Sequence, residues 1–200
     1  MLTLLALLPM MAQAASTDAE PYPARAVLAA FGTACSGVEN LDVAKASALA
    51  AGWEEIDPDP ESAIGKLVAF GYGSIKEDDE AKLLAGSTYR KDVMSRELHL
   101  VISGVALETV STHGCRLYDL AADSALTEKE LSDWAVRNPK PLFSGIPGGV
   151  RYGWNPGLKP GHAEMDMTFF PQDAQLPPPV YGLPLSGLIL TSTAIEFTDP

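Results

Sequence analysis

Two stretches of this chain alternate apolar and polar residues, and that period of two constrains the fold more than any other feature. In "ELHLVISGVAL" (97–107), Leu98, Leu100 and Ile102 point one way, and His99, Val101 and Ser103 the other. In "HAEMDMTFF" (162–170), Ala163, Met165, Met167 and Phe169 oppose His162, Glu164, Asp166 and Thr168. Such alternation belongs to antiparallel strands with one face packed and one in water. Further strands are expected at "STYRKDV" (87–93), "CRLYDL" (115–120), "VRYGW" (150–154) and "GLILTSTAIEF" (187–197). The first three strands in chain order read as a meander, and "NPGLKPG" (155–161) reads as the turn between two later ones.

Helical spacing brackets these strands. Val27, Leu28, Phe31 and Cys35 share one face of a first helix. A second begins at Asn40, a good N-cap with Asp42 in its first turn. It is expected to bury Ala46, Leu49, Ala50 and Trp53, with Gly52 ending it. "EDDEAKLLAG" (77–86) reads as a short helix with acids in its first turn. "LTEKELSDWAVRNPK" (126–140) carries a capping box at Thr127 and Glu130, a buried stripe of Leu131, Trp134 and Ala135, and a stop at Asn138-Pro139. "EEIDPDPES" (54–62) reads as irregular and "PQDAQLPPP" (171–179) as a stiff extended linker. The sum is an α+β fold: antiparallel sheet covered by helices, a helix hairpin followed by a βββ-α-βββ order, divisible into two αβββ units.

The first 14 residues, "MLTLLALLPMMAQA", form a short apolar run ending in a small-x-small site, as in an export signal cleaved before Ala15. The run is too short for a bilayer span, and no later segment approaches one. A single domain is expected over residues 15–200. Export places the chain in the periplasm or outside the cell, and there its only two cysteines, Cys35 and Cys115, are expected to form a disulfide. Closing so long a loop is worth roughly 4 kcal/mol in the chain-entropy model.

The formal net charge of −12 excludes nucleic acid as a partner, since phosphate binding needs clustered Lys and Arg. It also disfavours anionic membrane surfaces. Most linear motifs fail on inspection. Asp57, Asp59 and Glu61 alternate as in a calcium loop, but Ser62 stands where such a loop needs Gly. Tyr72 and Lys76 are spaced as in short-chain dehydrogenases, without a glycine-rich dinucleotide loop. Ile64-Gly65-Lys66 lacks the rest of a phosphate loop. His113 and Cys115 could act as a nucleophilic pair only if Cys115 were a free thiolate.

Two clusters remain. His162, Glu164 and Asp166 are metal-ligand types at i, i+2 and i+4 of one strand. They span about 13 Å at ~3.3 Å per residue, so neighbours could chelate but all three hardly could, and His99 or His113 would have to complete a site. The plainer expectation is a solvated polar row over Met165 and Met167. Arg151, Tyr152 and Trp154, set among glycines, have the composition of a recognition loop. The leading expectation is therefore an exported, non-catalytic binding or accessory protein with a small-molecule or protein partner and no cofactor. The alternative is a small exported hydrolase built on the row that begins at His162.

Overall fold

The computed structural model describes residues 21–76, 80–176 and 182–197; the stretch expected to act as an export signal lies outside them. The chain folds as α1 (Ala24–Ala34), α2 (Leu41–Ala50), β1 (Glu54–Ile56), α3 (Ala63–Lys76), β2 (Lys82–Val93), β3 (Arg96–Ala106), β4 (Val110–Asp119), α4 (Glu128–Ala135), β5 (Lys140–Leu142), β6 (Val150–Trp154), β7 (His162–Phe170) and β8 (Gly187–Phe197). All eight strands join one antiparallel sheet in the order β1-β2-β3-β4-β8-β7-β6-β5. The α+β class expected from the sequence holds. Each half of the sheet is a four-stranded meander rather than a three-stranded one, and the halves meet where β4 pairs with β8.

One face of the sheet carries the core. Leu98, Leu100 and Ile102 of β3 lie fully buried there beside Cys115 and Leu117 of β4, Leu188 and Leu190 of β8, and Met165 and Met167 of β7. Helix α1 covers them with Val27, Leu28 and Phe31, and α4 adds Leu131 and Trp134. Phe31, Trp134 and Trp154 pack in succession, the first pair tilted and the second edge-to-face, at ring separations of 6.2 and 6.4 Å. The disulfide between Cys35 and Cys115, with Cα atoms 5.6 Å apart, ties the end of α1 to the middle of β4. Thr127 and Glu130 form the expected capping box on α4, and Asn40 accepts from the Asp42 and Val43 amides as the cap of α2.

Several local expectations are corrected. Helix α2 buries Ala44 and Ala48, not Ala46, Leu49 and Ala50; the small alanines let it lie close against the sheet while Leu49 faces water. Residues 82–86, read as helix, belong to β2, whose pairing with β3 runs from Lys82 to Val93 around a bulge between Leu84 and Ser87. Sheet pairing overrides helix propensity there. Residues 54–56, read as irregular, extend the sheet as β1, and Asp59 and Ser62 then turn the chain into α3: Ser62 Oγ accepts from the Gly65 amide. Helix α3 itself and the edge strand β5 were not foreseen. The β2–β3 hairpin turns at Met94 and Ser95, both at positive φ, which suits a tight turn whose twist matches the strands.

Where β8 begins, it runs against the end of β4. Gly187 sits at φ +81°, and a Cβ there would stand 2.1 Å from the Asp119 carbonyl oxygen. Only glycine fits this approach. The Asp119 side chain is buried and takes both forks of the Arg96 guanidinium, at 2.7 and 2.9 Å, and the Tyr22 hydroxyl at 3.0 Å. Arg96 also lies over the Tyr22 ring. This cluster fixes the chain's entry into α1 against the β3 and β4 ends.

Candidate functional site

The other face of the sheet is not filled in the same way. Strand alternation sends the odd-numbered residues of β3 and β8 and the even-numbered residues of β4 to this side, in cross-strand rows set by the register. One row runs Val101, Arg116, Thr191, Asp166; the next runs Ser103, Gly114, Thr193, Glu164; a third runs His99, Tyr118, Ile189, Thr168, Arg151. The floor is thus hydroxyls and charges in the middle with apolar groups around them. Helix α3 forms one wall with Leu67, Val68, Phe70, Tyr72 and Ile75; Leu183 and Leu185, just before β8, stand at the other side. Between them lies a cavity of about 680 Å³, well within the size range of small-molecule sites.

Arg116 is the central feature of that floor. Its Nη1 donates to Ser103 Oγ at 3.3 Å, and among the described residues no carboxylate pairs with it. Its side chain lies along the sheet in room left by Gly114, where a Cβ would stand 2.8 Å from the guanidinium. Beside it, burial pushes the Tyr118 hydroxyl's pKa up, an effect Arg116 partly offsets. The second guanidinium, Arg151, is already engaged: Nη2 is 3.2 Å from Asp166 Oδ2 and 3.7 Å from Glu164 Oε1. Thr168 Oγ1 donates to the other Asp166 oxygen at 3.3 Å. The arrangement can hold an anionic group at Arg116 and an apolar body against α3.

The row His162, Glu164, Asp166 does not stay together. A bulge between His162 and Glu164 shifts the register, so that His162 pairs with Ala194 and faces the helices, while Glu164 and Asp166 remain on the cleft side. The expected solvated row over Met165 and Met167 is corrected accordingly: Asp166 and Thr168 are themselves largely covered, and β7 is packed on both faces. Under the helices, His162 Nδ1 is 2.9 Å from Ser192 Oγ, and Nε2 approaches Glu39 Oε2 at 3.3 Å without hydrogen-bond alignment. His113 pairs with the same Ala194 and holds the Glu39 carbonyl through Nδ1 at 2.9 Å. Both histidines thereby pin the α1–α2 turn to the sheet. His99 lies on the opposite face beside Glu97. Among the described residues no three His, Cys, Asp or Glu side chains gather as a metal would need.

Comparison with protein-family models, curated proteins and solved structures finds no match to this chain.

The other sequence candidates divide in the same way. Of Arg151, Tyr152 and Trp154, only Arg151 faces the cleft; Tyr152 and Trp154 pack on the core, and Trp154 Nε1 donates to the Arg137 carbonyl at 2.9 Å. Cys115 is bonded, so it offers no thiolate to His113. Tyr72 lines the cleft from α3, whereas Gly65 serves close packing at the start of that helix, where a Cβ would stand 2.1 Å from the Asp59 carbonyl oxygen. Arg116 was not singled out by the sequence reading, nor were Thr191 and Thr193. The available signal was parity: with Cys115 and Leu117 facing the core, Arg116 between them must face the opposite side.

Burial lowers the His162 pKa below 6.5; Glu39 partly offsets this and Lys159 adds to it. A histidine held neutral in this way binds fewer protons folded than unfolded. Its contribution is complete above pH 6.5 and is lost as pH falls through that value toward the folded pKa. The His99 pKa is lowered in the same sense by burial. Thermal melts of wild type and His162→Asn between pH 8 and pH 5.5 should therefore converge as the pH falls. A gap that stays constant or widens would show that His162 is not held neutral by the fold.

Proposed function

We propose that this chain is an exported, non-catalytic binding protein whose ligand lies in the cleft between α3 and the sheet. The observation that carries the reading is the state of α3. Its Leu67, Val68, Phe70, Tyr72 and Ile75 are only half-buried and face a cavity, while α1 on the other side buries Val27, Leu28 and Phe31 completely. A cover helix that served the core alone would be packed as α1 is. The signal-like first 14 residues support export, as does a disulfide of the kind that persists in oxidising compartments. No helix among the described residues is long and apolar enough to cross a membrane.

Nile red, a neutral dye that brightens in apolar surroundings, tests the reading. Wild type should bind it saturably, and Thr193→Trp, which places an indole on the cleft floor, should bind at least tenfold more weakly. Equal binding by the two proteins would contradict the reading. A second reading, a small hydrolase at His162, is favoured by the Ser192 and Glu39 contacts to its two ring nitrogens. It needs a substrate to reach Ser192, which is 2% exposed in the middle of β8. A fluorophosphonate that labels wild type but not Ser192→Ala would establish it.

A further inference from the structure

We propose that the cleft takes a fatty carboxylate, with the carboxylate on Arg116 and the acyl chain along α3. The inference rests on the reading of the cleft as a binding site and adds the chemical class of its occupant. Three independent features converge. The first is charge. In a chain of net charge −12, the described charged groups lining the cleft are Arg116, Arg151 and Asp166, with Glu164 on the same face of the sheet. Both carboxylates lie near Arg151, Asp166 at 3.2 Å and Glu164 at 3.7 Å, and among the described residues none pairs with Arg116. Repulsion from surface acids farther away is screened beyond about 8 Å at physiological salt, so the groups immediately around Arg116 decide.

The second feature is the company Arg116 keeps. Ser103, Thr112, Thr191 and Thr193 line the same floor. Their hydroxyls can donate to carboxylate oxygens that the guanidinium does not reach, and a charged hydrogen bond in a partly desolvated site is stronger than a neutral one. The third feature is the wall. Leu67, Val68, Phe70 and Ile75 of α3 face Val101 and Val105 of β3 across the cavity. A cluster of apolar side chains left half-buried around one end of a polar floor matches a molecule with one charged head and one apolar tail. A small dianion would leave that wall unused, and a neutral lipid would leave Arg116 unmatched.

Displacement of bound Nile red by decanoate, decan-1-ol and acetate tests this on the folded, disulfide-bonded protein. Decanoate should displace the dye at a concentration at least tenfold lower than decan-1-ol, since the two share a tail and differ in the charged head. Acetate, which has the head and no tail, should displace little, and lengthening the carboxylate by one CH2 should tighten binding about fourfold. Arg116→Gln should bring decanoate and decanol within about twofold of each other. Gly114→Ala keeps the charge but sets a Cβ 2.8 Å from the present guanidinium position, so it should cut the preference for decanoate severalfold. It also serves if Arg116→Gln fails to fold. Nile red binding with no preference for decanoate overturns this inference and leaves the binding-cleft reading standing; so does an undiminished preference in Arg116→Gln or Gly114→Ala. Absence of Nile red binding overturns both.

Discussion

Asp119→Ala should lower the stability of this protein by about 3 kcal/mol and its melting temperature by roughly 10 °C. Asp119 is closed off from water and accepts three hydrogen bonds, two from Arg96 and one from Tyr22. Removing it strands a guanidinium that cannot lose its charge and a hydroxyl that is mostly buried. A broken buried pair typically costs 3–5 kcal/mol because the partner charge is left without compensation. The lower end applies here, since Arg96 keeps 24% of its side-chain surface exposed and can turn partly toward water. Asp119→Asn retains an oxygen for one fork of Arg96 and should cost less. A melt of Asp119→Ala within about 2 °C of wild type would mean the cluster contributes little to holding α1 and the strand ends together.

The second large effect is that of the disulfide. The bond spans a sequence separation of 80 residues, and opening it restores loop entropy to the unfolded chain worth about 4 kcal/mol. The double variant Cys35→Ala, Cys115→Ala should therefore melt on the order of 10 °C below wild type. Both sulfurs are buried between α1 and β4, so reductant has no direct access to them in the folded protein. Dithiothreitol at room temperature should leave wild type oxidised, and reduction should follow only after denaturant is added. Rapid native-state reduction, or an unchanged melt in the double variant, would contradict this account.

What the sequence made legible was whatever a short-range period or a cap could encode. The alternation in 97–107 and 162–170 located β3 and β7, Thr127 and Glu130 located α4, and the parity of two cysteines in an export setting located the bond. The failures share a cause. Residues 82–86 have helical composition, yet pairing with β3 claims them; residues 54–56 are too few to show a period, yet they add an edge to β2. The His162 row failed because a bulge is a property of the pairing between β7 and β8, and one strand's sequence does not contain it. The cleft was hidden for the same reason. Arg116, Thr191 and Asp166 are far apart in the chain and meet only through the register of β4, β8 and β7.

The ligand is expected on the sheet face beneath α3, and not on the helix-covered face. Methyl NMR during a Nile red titration tests it most directly, because the two faces carry different methyl groups. Resonances of Val101, Val105, Thr112, Ile189, Thr191 and Thr193 should move together with a single affinity, while Leu98, Leu100, Ile102 and Leu190 behind them should hold still. Shifts confined to Ala29, Ala135, Leu158 and Met165, around the smaller cavity beside His162, would contradict the claim and move the site to the other side of the sheet.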